Sequence, residues 1–213
     1  QKLSTNSSML KNIEWGAIAY LTTSIYGQGL TEVRINNSNQ YITGCAASVE
    51  NGAAYAGCEN MYNTSIGYLA STTGNISGIY DMSGGAWEYV MGVMEDSLNS
   101  NTPSSGNSLE YNSGFNGKNL NDGTTTIGVS FPESKYYDIY KYGTVWNDYT
   151  RYHLGDATTE IKGWNGDSAS FVDSISPWFI RGGHSNYETN AGVFAFHSND
   201  GHAGGRSARA VLR

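Results

Sequence analysis

Charge is scarce in this chain of 213 residues: Asp, Glu, Lys and Arg together make up 15%, against roughly 25% in ordinary soluble domains. What charge there is leans acidic, with 19 Asp plus Glu against 12 Lys plus Arg and a net charge of −7. So few basic residues leave no stripe to neutralise phosphates, which argues against a nucleic-acid partner or a surface built for anionic membranes. Long apolar runs are missing too. None approaches the ~18 residues of a membrane span, so no membrane insertion of this segment is expected. Cysteine is reduced to Cys45 and Cys58. The twelve residues between them form a workable loop for a disulfide worth ~3 kcal/mol in the chain-entropy picture. Two free, half-buried thiols are the other reading, and only the Cα separation decides between them. The sequence opens at Gln1, which fits a chain trimmed of a leader or cut from a longer protein.

What is abundant is Gly (27), Tyr (16) and Trp (5), together with Asn and Ser. Polarity is therefore carried by amides, hydroxyls and phenols, in a turn-rich chain long enough to bury a core as one domain spanning 1–213. Ser7 or Ser8 can cap a helix over residues 9–23, with Met9, Leu10, Ile13, Ile18 and Leu21 as its apolar stripe. A second helix is expected just after Thr144 or over residues 157–162. Residues 33–43 read as short strands and turns, and residues 97–126 as a surface excursion of Ser, Asn, Gly and Thr. Aromatic density at Tyr136 to Trp146 and at Ser176 to Gly183 should supply core and strand. The tail alternates short apolar groups, Ala191 to Phe196 and Ala208 to Leu212, with polar connections, as paired strands do. No fixed-period repeat is present, which disfavours solenoids and propellers.

Three segments in register resemble one family. GIYDMSGGAWEYVMG (Gly78 to Gly92), FIRGGHS (Phe179 to Ser185) and AGVFAF…RSARAVL (Ala191 to Leu212) look like the successive motifs of the formylglycine-generating-enzyme-like (sulfatase-modifying factor) branch of the C-type lectin fold. Where that family ends on "GFR", this chain has Ser207-Ala208-Arg209. The resemblance implies an α+β fold of the C-type lectin kind, with two helices, small twisted antiparallel sheets and extensive irregular loops. Its ending is similar to the variable proteins of diversity-generating retroelements, in which Asn codons are randomised at adenines and Lys, Glu, Gln, Met and Trp are not reachable. From His184 to Ser207 only Glu188 falls outside the reachable set. The resemblance thus implies a variable region over 178–213, with Val193, Phe194 and Phe196 as scaffold. His184, Asn186, Tyr187, Thr189, His197, Ser198, Asn199, Asp200, His202 and Arg206 would contact a ligand. Flat amphipathic rings and directional hydrogen-bonding groups on loops held by a rigid frame suit recognition. Ordinary solvated turns, with Asn and Gly chosen for positive φ, are the blander alternative.

The same resemblance assigns a calcium loop to the side chains of Asp81 and Glu88 and the carbonyls of Gly84 and Ala86, hard oxygen donors that would brace the fold with a structural Ca²⁺. Against it stands a purely structural reading in which Asp81 turns the chain, Trp87 fills the core and Glu88 pairs with Arg181. No redox cofactor is implied: the family's oxidase binds copper through a late cysteine pair, and no cysteine follows Cys58 here. His184, His197 and His202 invite a zinc reading, but such a site needs about four converging ligands and no Cys or HExxH accompanies them, so exposed loop histidines are the favoured reading. There is no GxSxG elbow, and nothing in the spacing of Asp138, Asp148, Asp156, Glu160 and Asp167 selects a pair for sugar hydrolysis, so they read as a solvated acidic face. The expectation is a non-enzymatic binder of an external protein or glycan, extracellular, on a cell surface or on a phage particle, with self-association or multivalent display. A fibre or pilin-like ectodomain and, more weakly, a formylglycine-generating-like oxidase with altered chemistry are the alternatives.

Overall fold

The structure is a computed structural model that describes residues 7–36, 62–94, 133–140, 154–158, 160–161, 163–172, 178–199 and 206–212. Cys45, Cys58, residues 97–126, the helix expected after Thr144, Asp148, Asp200 and His202 lie outside the described residues.

Helix α1 runs over Asn12–Thr22, shorter than the expected 9–23. The serines do not cap it. Ser7–Met9 forms strand β1, paired antiparallel with β8 (Ala210–Leu212), so the chain is extended until Lys11. The first turn is satisfied from two other sources: the Glu14 carboxylate accepts from the Lys11 N–H at 2.8 Å, and Asp138 accepts from the Ile13 N–H at 2.8 Å. Lys11 Nζ lies 3.4 Å from the same Asp138 carboxylate, which balances its charge. Acidic groups at a helix start are favoured by the aligned peptide dipoles. The buried face is Asn12, Trp15, Gly16, Ala19 and Thr22, at three- and four-residue spacing. Leu21, expected on the apolar stripe, is exposed.

Three sheets follow. The largest has the order β6–β5–β2–β7, made of Phe196–Asn199, Trp178–Arg181, Trp87–Val90 and Arg206–Ala208. Its β2–β5 and β5–β6 pairs are antiparallel, while β2 and β7 run parallel. Strand β3 (Gly92–Met94) pairs parallel with β4 (Asp138–Tyr140). The sheets are small, as expected, but two of the pairings are parallel and correct the expectation of antiparallel sheets. The terminal strands also do not pair with one another. β7 and β8 return to β2 and β1 respectively, which closes the C-terminal end onto the N-terminal one. Within 157–162 the described residues form bends and turns, and no helix. Residues Ser185–Asn190 form a 3₁₀ segment.

The main core gathers Trp15, Met82, Val90, Tyr140, Phe171, Phe179, Phe194 and Phe196 between α1 and one side of the large sheet. Ring centroids of Tyr140 and Phe179 are 4.6 Å apart and those of Phe171 and Phe179 are 5.3 Å apart. Each buried Phe of this set contributes ~1.5–3 kcal/mol of transfer free energy. Trp15 donates its indole N–H to the Val193 carbonyl at 2.8 Å, which fastens the helix to the segment leading into β6. A polar system is enclosed with the rings. Tyr140 donates to Asp156 at 2.8 Å and accepts from Asn12 at 2.7 Å, and Asp156 also accepts from the Thr158 hydroxyl and N–H. The Arg181 guanidinium is fully buried, donating to the Ala157 carbonyl at 2.8 Å. Burial pulls its pKa down to about 10, with Asp156 the leading opposing influence, so it stays charged at neutral pH.

Candidate functional site: an aromatic face on the large sheet

Alternation along a strand sends successive side chains to opposite sides of the sheet. In register, Arg181 lies opposite both Glu88 and Phe196 on the side of the main core. Trp87 lies opposite Arg206, and Tyr89 opposite Ile180, which in turn meets His197. This second side carries its own small apolar cluster of Trp87, Ile180 and Ala195, with Tyr89 and Tyr187 packed against it. Trp87 is its floor. Only 4% of it is exposed, and its ring meets Tyr187 edge-on at 5.2 Å, His197 at 5.9 Å and His184 at 6.5 Å between centroids. His184 and Tyr187 complete the rim at 4.5 Å from each other.

A sharp turn delivers that rim. After buried Arg181, Gly182 and Gly183 both have φ near +80°, at 86° and 78°, a backbone region open to glycine at little cost. Gly84 N–H donates to the Gly182 carbonyl at 2.8 Å and Ser185 N–H to the Gly85 carbonyl at 3.0 Å. The 81–86 turn and the start of the expected variable region are therefore held side by side. His184 caps the 3₁₀ segment: its Nδ1 accepts from the Asn186 N–H at 3.1 Å, which places the ring proton on Nε2. Burial, and then the nearby Arg206 charge, lower the His184 pKa, so the ring is neutral at pH 7. His197 Nδ1 lies 2.8 Å from the Ser198 carbonyl and donates to it.

The expected contact residues sort by depth. Asn186 and Thr189 are exposed on the 3₁₀ segment, and His184, Tyr187, His197 and Arg206 are half-buried around Trp87. Ser198 is half-buried opposite Phe179, on the core side of the sheet. Asn199 is buried, and its side-chain oxygen accepts a short hydrogen bond from the Tyr89 hydroxyl. Sequence reading missed the part played by Trp87 and Tyr89 as the floor. The signal was the period-2 spacing of those two rings in Trp87-Glu88-Tyr89.

Of the oxygens expected to hold calcium, those of the Glu88 carboxylate are paired with Arg209. Arg209 Nη2 donates to the Asp81 carbonyl at 2.7 Å and to Glu88 Oε1 at 2.6 Å, while Nε lies 2.6 Å from Glu88 Oε2 in an ion pair not aligned as a hydrogen bond. The partner of Glu88 is thus Arg209, which corrects the structural alternative that paired it with Arg181. Gly84 is pressed against the Asn36 backbone and forms an isolated bridge with it; Ala86 leads into β2. The Asp81 carbonyl is not one of the four expected donors, so of that set Arg209 engages only the Glu88 carboxylate. Among the described residues no group of three or more His, Cys, Asp or Glu is placed to hold a metal ion.

The acidic residues also depart from expectation. Asp138, Asp156 and Asp167 are buried, each bonded to the scaffold, and do not form a solvated face. Asp167 accepts from the Phe194 N–H at 3.0 Å. Its pKa is pushed up to about 7, chiefly by burial and next by the charge of Glu32. Glu160 accepts from the Tyr20 hydroxyl and from the Gly155, Ala157 and Thr158 N–H groups; burial alone would raise its pKa, but the bonds from Tyr20, Gly155 and Ala157 outweigh it and the pKa is lowered. Among the described residues no helix is long and apolar enough to cross a membrane. No protein-family model matches the chain, and no curated protein matches it.

Proposed function

We propose that the chain is a non-catalytic recognition protein that displays exchangeable side chains on a C-type-lectin scaffold of the formylglycine-generating-enzyme type, as variable proteins of diversity-generating retroelements do. One observation carries the reading. His184, Tyr187, His197 and Arg206, chosen from sequence as contact residues, share one side of a four-stranded sheet around Trp87, with Asn186 and Thr189 exposed beside them. A deep aromatic floor under a polar rim resembles the anatomy of binding interfaces, where buried rings anchor and peripheral groups adapt. The ligand is an external protein or glycan met outside the cell or on a phage particle, and display in several copies raises avidity. Binding to a glycan and cell-surface protein array, repeated with Asn186, Tyr187, Thr189 and Arg206 jointly replaced by Ala, tests it: lost binding supports the face, and unchanged binding overturns it. In the genome, a reverse transcriptase beside a near-copy of the final coding segment, differing at adenines, would independently support exchange.

A second reading, a structural subunit that mates with copies of itself, is favoured by a different surface. Residues 21–31 and 62–80 contain no charged side chain, yet they expose Ile25, Tyr26, Leu30, Ile66 and Ile76. Gln28 ties the two segments together through the Leu69 and Ser71 carbonyls. Uncharged apolar surface is where molecules of net charge −7 can approach with least repulsion. Sedimentation at rising concentration separates the readings: reversible assembly abolished by Ile25→Asp and Leu30→Asp supports the subunit, and a monomer throughout dismisses it.

A further inference from the structure

One ring nitrogen holds the start of the segment that carries the rim of the aromatic face. His184 Nδ1 accepts from the Asn186 N–H at 3.1 Å, at the first turn of the 3₁₀ segment Ser185–Asn190. Only a neutral imidazole has a ring nitrogen able to accept; a protonated one has two N–H donors. Asn186, Tyr187 and Thr189 all sit on the segment that this bond starts. The same ring lies against the face, 4.5 Å from Tyr187 and 6.5 Å from buried Trp87 between centroids. Around it, Arg206 on β7 and His197 on β6 share its side of the sheet, and Tyr187 and Glu188 follow on its own segment. The 81–86 turn, which holds Ser185 through the Gly85 carbonyl, carries Asp81. Glu88 on β2 is turned to the core side and paired with Arg209. Burial, and then the Arg206 charge, keep the ring in its neutral, accepting form at pH 7.

We infer that His184 is an acid-sensitive latch on the proposed recognition face: protonation turns its Nδ1 from acceptor to donor, breaks the bond to the Asn186 N–H and frees the 185–190 segment, so that a ligand held there is released in acid. The inference rests on the recognition reading above, whose site it regulates. Once Nδ1 carries a proton, it and the Asn186 N–H are two donors aimed at one another, and either the ring turns away or the segment moves. In both cases the contact among Trp87, His184 and Tyr187 is lost, because the ring that leaves is part of it. The new charge also lies near Arg206, a like charge at a partly buried rim, which disfavours the closed arrangement further. The direction in pH follows. A base whose folded pKa lies below its unfolded value, near 6.5, stabilises the folded segment above that pH, and the gain is lost as pH falls through the folded pKa. The latch is closed at neutral pH and opens below pH ~6.5. Its opening is local: Asp156 and Asp167, whose burial favours the folded chain in acid, hold the core while the rim loosens.

NMR of the full chain, followed from about pH 7.5 down to about pH 5, the span in which a histidine titrates, tests the inference. The His184 ring signals and the Asn186 amide should move together, with one midpoint below ~6.5. Hydrogen-exchange protection of Asn186, corrected for the pH dependence of intrinsic exchange, should fall about tenfold over the same span, the equivalent of one lost hydrogen bond. His184→Asn supplies an acceptor that does not titrate and suits the position before a helical turn, so in that variant Asn186 should stay protected in acid. Arg206→Gln removes the opposing charge and should raise the midpoint. An Asn186 amide that stays still and protected while the His184 ring titrates would overturn the inference. So would an acid loss of protection that survives in His184→Asn, which would put the trigger elsewhere. Should His184→Asn fail to fold, the wild-type comparison of ring and amide midpoints decides. A binding array blank at neutral pH, with the coupled titration seen, would sink the recognition reading and leave His184 as a switch without a ligand; a positive array with an uncoupled Asn186 would sink the switch alone.

Discussion

Tyr140 and Asp156 share a 2.8 Å hydrogen bond with neither side chain open to solvent. The phenol is also the acceptor for Asn12 on the first turn of α1, so one oxygen links the helix, β4 and the 154–158 turn. Tyr140→Phe keeps the ring contacts with Phe171 and Phe179 and removes only that oxygen. It leaves the Asn12 amide and one Asp156 oxygen short of a partner. Leaving buried polar groups unpaired costs ~1–3 kcal/mol each, so a urea midpoint clearly below wild type with an unchanged slope is expected. A midpoint equal to wild type would mean that water replaces the hydroxyl at no cost.

Two buried carboxylates give a stability profile that falls as pH rises. Asp156 is pushed up to about 6 and Asp167 to about 7, with burial the main cause in both. An acid whose folded pKa lies above its unfolded value binds its proton more tightly in the folded state, so that state is favoured at low pH. The advantage is complete below the unfolded pKa near 4 and is lost as pH climbs through the folded one. These groups therefore make the protein more stable near pH 5 than near pH 8. Asp167→Asn mimics the protonated form and can still accept from the Phe194 N–H. Its melting midpoint should lose much of the decline between pH 5 and pH 8, and a variant with the wild-type slope would count against Asp167 as the titrating group.

The aromatic face should separate scaffold from display. Trp87→Ala removes a nearly buried ring that contacts Tyr187, His197 and His184, and such truncations cost ~3–5 kcal/mol. Asn186→Ala and Thr189→Ala lie on exposed positions, where changes stay within ~0.5 kcal/mol. Denaturation of the three variants should therefore show one large loss and two near-zero ones. If the Asn186 and Thr189 variants lost as much as the Trp87 variant, the exposed rim would be structural and unfit for exchange.

Much of this was legible in the sequence where a local rule and the tertiary fold agree. Within the described parts of the two aromatic segments, Asp138–Tyr140 and Trp178–Arg181 are strands and Tyr140, Phe179 and Ile180 are buried. The Gly182-Gly183 end of the second segment, read as strand and core, instead forms a turn with positive φ at both residues. Other features escaped because they depend on residues far away in the chain. Of the expected stripe Leu10 and Ile18 do pack in or against the core and Leu21 does not, while the fully buried helix face is Trp15, Gly16 and Ala19 with Asn12 and Thr22. Asn12 is acceptable there only because Tyr140, 128 positions on, receives its amide. Likewise Asp138 looks like a surface acid until its partners, Lys11 and the Ile13 N–H, are brought to it. The Glu88 partner was misjudged for the same reason: Arg181 is opposite in register, yet Arg209 arrives just after β7, whose parallel pairing with β2 no local pattern announces.

Gly16 puts a local rule and packing in direct opposition. In a helix interior, Gly→Ala is worth up to ~1 kcal/mol of propensity, and at an exposed position the change would stabilise α1. Here the added carbon would be driven into the backbone of Asp156, which cannot yield without disturbing the Tyr140 and Thr158 contacts to that residue's carboxylate. Overpacking of this kind costs ~1–3 kcal/mol, which exceeds the helical gain. Gly16→Ala should therefore lower the melting midpoint, while Ala17→Gly on the exposed side of the same helix should lower it only by the propensity difference. Slower unfolding or a higher midpoint for Gly16→Ala would show that α1 and the 154–158 turn can move apart, and that the close approach at Gly16 is not what seats the helix.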